Sequence, residues 1–346
     1  RPTHYSAGAH AETRVMDSAT IPMEKMPKTD SPSGRAEPSA ALLADASRAA
    51  AGLTDASRSD FAVLVPAFNE APVIVDLVSE LRAGFERYGL SGEVVIVDDG
   101  STDGTADLAE AAGEDWPALK VVRHRVNLGK SEAMETGAAA TERFRLVLFD
   151  ADLQHLPDEI PRFLLRLQEG WDMVTGRKVG RYDKRGVSTV YNALSRRIFR
   201  LPVSDLNSMK AFDREALESV HLRHDWHRFF VVLAHAKGFS VTEIDIELHP
   251  RRAGVSKYGG AWRVLVGVMD LVSVGFLLMF SRKPLLLFGS LGLAFVASGL
   301  GVGAIALYMR FVLEQGFRPL LYLVMLLETL GVLFIGVGLL AEMVAQ

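Results

Sequence analysis

The sequence predicts an α/β domain with a mostly parallel sheet, followed by interfacial helices and a two-helix transmembrane hairpin. Three observations carry this. From Phe61 onward, short apolar runs alternate with segments of helical periodicity, the pattern of a parallel sheet covered on both faces. Near the C-terminus, Leu285 to Met309 is 25 residues without a charge, and Leu320 to Val344 is a second apolar stretch. Each is long enough to cross ~30 Å of hydrocarbon. The overall composition of 49% hydrophobic and 23% charged residues averages over a steep gradient. Residues 1–59 hold only five Val, Ile, Leu or Phe, and residues 261–346 hold only nine charges. That does not fit a plain soluble globule.

The elements follow in order. Residues 1–59, rich in Pro, Ser and Ala, read as a disordered leader, with too little apolar surface to offset chain entropy. A short Ala-rich helix over Ser39 to Gly52 is the only element expected there. The α/β domain spans 60–260. Buried strands are expected at Phe61–Val65, Glu93–Val97, Leu119–Arg123, Arg145–Phe149 and Met173–Thr175, with helices at 71–87, from Asp103, at 130–141 and at 158–169. Residues 261–284 form the juxtamembrane segment. Val264 to Phe280 is apolar but contains Asp270, which suits one or two helices lying in the interface, with a third span as the alternative. Residues 285–346 form the hairpin, with spans at 285–309 and 320–344. Glu328 within the second span is costly in lipid, so it should face another helix or subunit, and a homo-oligomer is one way to provide it.

Charge and composition narrow the function. The net charge is −4, with no broad basic field for nucleic acid. There is no cysteine, which excludes a disulfide scaffold, thiol catalysis and Cys-ligated metals. Basic residues cluster before the first span (Arg251, Arg252, Lys257, Arg263, Arg282, Lys283), whereas the hairpin loop has only Arg310 and Arg318. The positive-inside bias then places the α/β domain in the cytoplasm and the chain in the cytoplasmic membrane.

The ends of the predicted strands carry polar clusters, where ligands of such sheets bind. They are Val65-Pro-Ala-Phe-Asn-Glu70, Val97-Asp-Asp-Gly-Ser-Thr-Asp-Gly-Thr105, Asp150-Ala-Asp-Leu-Gln154 and Thr175-Gly-Arg177. Asp150 and Asp152, two apart in extended chain, can point to one side. Such a pair suits a hard divalent cation whose shell is completed by phosphates, and Gln154 can offer an amide oxygen to the same ion. No Gly-rich phosphate loop or dinucleotide fingerprint follows any strand, which argues against a dehydrogenase or P-loop enzyme.

These motifs resemble family 2 inverting glycosyltransferases of the GT-A fold. The closer resemblance is to dolichol-phosphate mannose synthases and bacterial polyprenyl-phosphate glycosyltransferases, over about residues 60–345. Asn127-Leu-Gly-Lys130, Asp205-Leu-Asn-Ser208, His249-Pro-Arg-Arg-Ala-Gly-Val-Ser-Lys-Tyr-Gly259 and Lys283-Pro-Leu-Leu-Leu-Phe-Gly-Ser-Leu-Gly292 also match. The resemblance implies that Pro66, Phe68, Glu70, Val97 and Asp99 line the nucleoside pocket. It implies that Asp150, Ala151, Asp152 and Gln154 hold metal and diphosphate, with Mg²⁺ or Mn²⁺ on Asp150, Asp152 and Gln154. Arg177, Arg251 and Lys257 would meet phosphate oxygens; Lys184 or Arg185, with Ser188, would meet the acceptor phosphate. Asp152 and Arg177 are the expected catalytic pair. Two positions depart from the family pattern: Phe68 stands where Tyr is frequent, and Met209-Lys-Ala-Phe212 follows Ser208 without the usual Gly and aromatic residue.

The function so implied is inverting transfer of one hexose, from GDP-mannose or UDP-glucose, to a polyprenyl or dolichyl phosphate at the bilayer. The alternatives are a transferase acting on a protein or glycan hydroxyl, which needs a general base, and a non-catalytic membrane scaffold.

Overall fold

The computed structural model describes residues 37–179, 203, 205–206, 208–220, 222, 226–250, 252, 273–276 and 283–344. Contacts divide the chain into Arg1–Arg35 and Ala36–Gln346, and everything described belongs to the second unit.

The expected strands form, and two more join them. Strands β1 (Phe61–Ala67), β2 (Glu93–Asp98), β3 (Leu119–Arg123), β4 (Arg145–Leu148), β5 (Met173–Val179), β6 (Lys210–Asp213) and β7 (Val241–Glu247) build one sheet in the order β3-β2-β1-β4-β6-β5-β7. Only β6 is antiparallel to its neighbours. It is four residues long and carries a lysine, so it gives no apolar run to read. Strand β7 alternates apolar and polar residues, as an edge strand does.

Helices cover both faces because successive strand residues point opposite ways. On one face, Phe61, Val63 and Val65 pack with Ile74, Leu77 and Leu81 of α3 (Ala71–Tyr88) and Phe163 and Leu164 of α6 (Ile160–Gln168). On the other, Leu64, Val95 and Val97 pack with Ala133 and Met134 of α5 (Lys130–Ala139). Phe212 meets Phe230 of α8 (Phe230–Ala236) edge-on at 4.7 Å in the same cluster. The remaining helices of the domain are α4 (Thr105–Ala112) and α7 (Arg214–Glu218).

The leader boundary at residue 59 is corrected. Helix α1 (Ala40–Gly52) is capped by Ser39, whose Oγ accepts from the Leu42 N–H at 3.1 Å, and α2 (Asp55–Ser59) follows. Leu42, Ala46, Ala49, Ala50 and Leu53 form a buried stripe. Small alanines permit the close approach to α6, and Gln168 bonds both Gly52 O and Thr54 N. These residues belong to the domain.

The hairpin consists of α9 (Pro284–Phe311) and α10 (Arg318–Val344), with mean hydropathies of 2.1 and 2.4 and the length to cross a membrane. Its seam is made by glycines. A side chain at Gly292 would strike Gly331 O and Ile335, and one at Gly299 would strike Glu328. Glu328 therefore does face another helix, the first span of its own hairpin. Phe288 and Phe295 stack on Phe334. Glu342 Oε2 accepts from the Leu285 N–H at 3.1 Å, placing a carboxylate at the positive end of α9. Of the expected interfacial segment, only the turn 273–276 is described; Val274 is buried and Phe276 meets Phe288 of α9.

Candidate active site

The topology brings one set of loops to one sheet edge. The carboxyl ends of β1, β2, β3, β4, β5 and β7 share that edge with the amino end of antiparallel β6. The loops after β1 and β2 are zipped together. The Asn69 N–H donates to Ser101 Oγ at 2.8 Å, the Thr102 N–H to Asn69 Oδ1 at 2.9 Å, and the Glu70 N–H to Thr105 Oγ1 at 2.9 Å. Asn69 takes a left-handed backbone with φ +53°, which asparagine tolerates better than most residues. Gly100, at φ +73°, lies against the backbone of Val126 and Asn127, where any side chain would collide.

Asp99 is not open to a nucleoside. It is 4% exposed, and both carboxylate oxygens are engaged: Oδ1 with His124 Nδ1 and the Leu128 N–H, Oδ2 with the Gly129 N–H, each at 2.8 Å. Three donors converge because the loop after β3 presents its amides to the end of β2. His124 is fixed in turn by Thr136 at 2.9 Å. Asp98 is buried too, and its Oδ1 accepts from the Ser101 N–H at 3.3 Å. Val97 is likewise corrected: its side chain is fully buried against Gly137 of α5, so only its backbone can face a ligand. Pro66, Phe68 and Glu70 lie half-buried at the edge.

The β4 end is built differently. Leu153 adopts φ +54° and is fully buried, so the turn is pinned by its apolar centre. Ala151 is buried beside it. The Gln154 N–H donates to Asp152 Oδ1 at 3.2 Å. Gln154 Nε2 donates to His249 O at 3.3 Å, while the His249 N–H donates to Gln154 O at 2.9 Å. That reciprocal pair ties the tail of β7 to the acidic turn and leaves the Gln154 amide oxygen as the end for a cation.

Lys130 Nζ donates to Asp150 Oδ1. Burial pushes the Asp150 carboxyl up, but the Lys130 ammonium outweighs it and holds Asp150 well below the usual carboxylate range. Beneath lies Lys210, 2% exposed, its Nζ donating to Ser208 O at 2.8 Å. Burial, reinforced by Lys130, drives its pKa down to about 7. His155, just past the acidic turn, is buried. Burial drives its pKa down to about 4; one ring nitrogen bonds the Glu247 backbone, and buried Nδ1 has no partner.

Arg177 is held by β7. Its side chain lies over β7, with Nε on Asp245 at 2.5 Å and a terminal nitrogen on Glu243 at 3.1 Å. The register pairs Thr175 with Glu243 and Arg177 with Asp245 on one face. The charge acting most strongly on Asp150 is that of Lys130, with Lys210 a further cation. The two lysines were missed as site residues. Lys210 had a signal: a lysine between Met209 and Ala211-Phe212 is a charge in an apolar run, which needs a reason. Lys184, Arg185, Ser188, Arg251 and Lys257 lie outside the described residues. Arg252 packs against α3, pairing with Glu80 at 2.6 Å.

Among the described residues, no three His, Asp or Glu side chains gather as a ready-made metal cage. Two carboxylates and an amide oxygen on one turn do fit a cation that takes its other ligands from substrate phosphates and water.

A Rossmann-like sheet with an acidic turn at its carboxyl edge is the architecture of the GT-A fold. The chain belongs to glycosyl transferase family 2, whose profile matches residues 62–231. It is 32% identical over 305 residues to a dodecaprenyl-phosphate galacturonate synthase of Rhizobium johnstonii, covering 83% of this chain and 88% of that one. It is 28% identical over 294 residues to an undecaprenyl-phosphate 4-deoxy-4-formamido-L-arabinose transferase of Salmonella enteritidis, covering 82% and 88%. In fold it resembles the Mycobacterium tuberculosis glucosyl-3-phosphoglycerate synthase crystallised with Mn²⁺, UDP and glucosyl-3-phosphoglycerate. The TM-score is 0.51 at 22% identity, over 67% of this chain and 84% of that one.

Proposed function

We propose that this protein transfers one sugar from a nucleotide diphosphate sugar to a polyprenyl phosphate at the membrane surface, with inversion at the anomeric carbon. The observation that carries the reading is the union, on one chain, of the Asp150–Gln154 turn at the sheet edge and an apolar hairpin of membrane-spanning length. The acceptor comes from the names of the two relatives, which align along more than four-fifths of the chain. GDP-mannose and UDP-glucose are the donors the family resemblance suggests first. The relatives widen the panel to a uronic acid and an amino-pentose derivative, so transfer need not be confined to plain hexoses.

Asp150 and Asp152, with Gln154, would hold Mg²⁺ or Mn²⁺, which neutralises the charge growing on the leaving diphosphate. Lys130, and Lys210 when protonated, supply positive charge beside the same turn, where it is worth more than in water. The acceptor phosphate is largely ionised near neutral pH. What the site must do is position two anions that repel each other, rather than remove a proton. Lys184, Arg185, Ser188, Arg251 and Lys257 remain the proposed acceptor-side and phosphate contacts, and Arg177 a proposed phosphate ligand once released from β7. The catalytic domain is proposed to face the cytoplasm.

The test is direct. Full-length protein in detergent is incubated with Mn²⁺ or Mg²⁺, undecaprenyl phosphate and each nucleotide sugar in turn, and the lipids are analysed by mass spectrometry. A polyprenyl-phosphate sugar from one donor is expected, abolished by Asp152→Ala. Absence of product with every donor, or product only on an added hydroxyl acceptor, overturns the reading.

A further inference from the structure

Two lysines flank Asp150, and they are held in different ways. Lys210 is fully enclosed and anchored to Ser208 O. Lys130 is the first residue of α5, its side chain 28% exposed, and its ammonium rests on Asp150 Oδ1. Its backbone is fixed, because Asp99 holds the amides of Leu128 and Gly129 just before it. The flexible four-carbon stem is what remains mobile. That combination, a pinned base and a swinging charge, is placed on an oxygen that the proposed metal also needs.

We propose that Lys130 and the divalent cation compete for Asp150, so that Lys130 sets the metal affinity of the resting enzyme. The inference rests on the metal reading given above. An ammonium and a divalent ion on the one Asp150 carboxylate lie a few ångströms apart and repel. Cation entry is therefore opposed by the lysine and favours its leaving Asp150. The nearest anion able to receive it is the diphosphate of the donor, which arrives at the same turn. Lys130 thus acts as a positioning residue: it holds Asp150 in place before the cation arrives, and it makes metal binding alone weaker than metal binding with donor. Lys210 cannot take this part, because its ammonium is enclosed and committed to Ser208 O.

The experiment uses Mn²⁺ alone. Full-length protein in detergent, without nucleotide, is titrated with Mn²⁺ and the free ion is read by electron paramagnetic resonance. Lys130→Met is expected to bind Mn²⁺ about fivefold more tightly than wild type, the size of a partly exposed ion pair. Lys130→Arg, which keeps the charge, is expected to stay within about twofold of wild type. Asp152→Asn is expected to lose the site. A gain in affinity cannot come from misfolding, so the readout separates competition from structural damage. Equal or weaker binding by Lys130→Met, with Asp152-dependent binding in wild type, overturns the competition alone. If wild type binds no Mn²⁺, or Asp152→Asn binds it equally, the competition is overturned because the metal reading beneath it has failed.

Discussion

Strands β2 and β4 lie on either side of β1, and each ends in two aspartates at the same sheet edge. The pair after β2 is consumed by the fold. Asp99 satisfies His124 and two backbone amides, and Asp98 takes the Ser101 amide. In the pair after β4, Asp150 is 34% exposed and meets the flexible Lys130, while Asp152 takes a backbone donor, the Gln154 N–H at 3.2 Å. The difference teaches how to sort carboxylates at a sheet edge. Carboxylates that are buried and bonded within the fold build the site, and those left partly exposed, with a local bond or a flexible lysine as partner, are available to a ligand.

The largest effect that can break this comparison is on turnover. Asp152→Asn is expected to lower it about 10³-fold, the scale of losing a charge-stabilising group in a transition state, as measured by glycolipid formation. Asp99→Ala strands a buried histidine and two amides. It is expected to cost about 3 kcal/mol of stability, read from denaturation of the detergent-solubilised protein.

A third carboxylate sharpens the rule. Glu159 is fully buried near the β4 turn, paired with Arg162 and accepting the Glu247 N–H at 3.1 Å. Burial outweighs both and raises its pKa to about 7 from 4.5. The folded state therefore holds a proton that the unfolded chain gives up, so stability falls as pH rises from about 4.5 to about 7. Glu159→Gln is expected to flatten that slope. It should stabilise by about 2 kcal/mol at pH 8 and do little at pH 4.5, as read from melting curves at the two pH values. The smallest effect is that of Asp98→Asn, about 1 kcal/mol, for one weakened bond to the Ser101 amide; the same melting curves check it.

Much of the domain was legible because its strands are apolar runs closed by chemistry-bearing residues. β1, β2 and β4 announce themselves as Phe61-Ala-Val-Leu-Val65, Glu93-Val-Val-Ile-Val97 and Arg145-Leu-Val-Leu-Phe149. Both long helices of the hairpin were legible for the same reason, since a run of uncharged residues has few alternatives. β6 and β7 were not, being short or alternating. With β7 unseen, the carboxylates Glu243 and Asp245 that hold Arg177 were invisible too. The acidic turn could be read from Asp150-Ala-Asp-Leu-Gln154 alone. Lys130 stood in a matching signature and Lys210 as a charge in an apolar run, but their place beside Asp150 could not be read, because it comes from the tertiary packing of α5 and β6 with β4. Asp99 misled because a carboxylate after an apolar strand looks the same whether it awaits a ligand or a backbone amide.

The division between the two aspartate pairs is tested most directly by crossing the readouts. Turnover per folded molecule is measured for Asp99→Ala, and melting temperature for Asp152→Asn. Folded Asp99→Ala is predicted to keep turnover within about tenfold of wild type, and Asp152→Asn to melt within about 2 °C of it. An Asp99→Ala protein that folds as stably as wild type yet makes no glycolipid would contradict the division, as would an Asp152→Asn protein that unfolds while its folded fraction stays active.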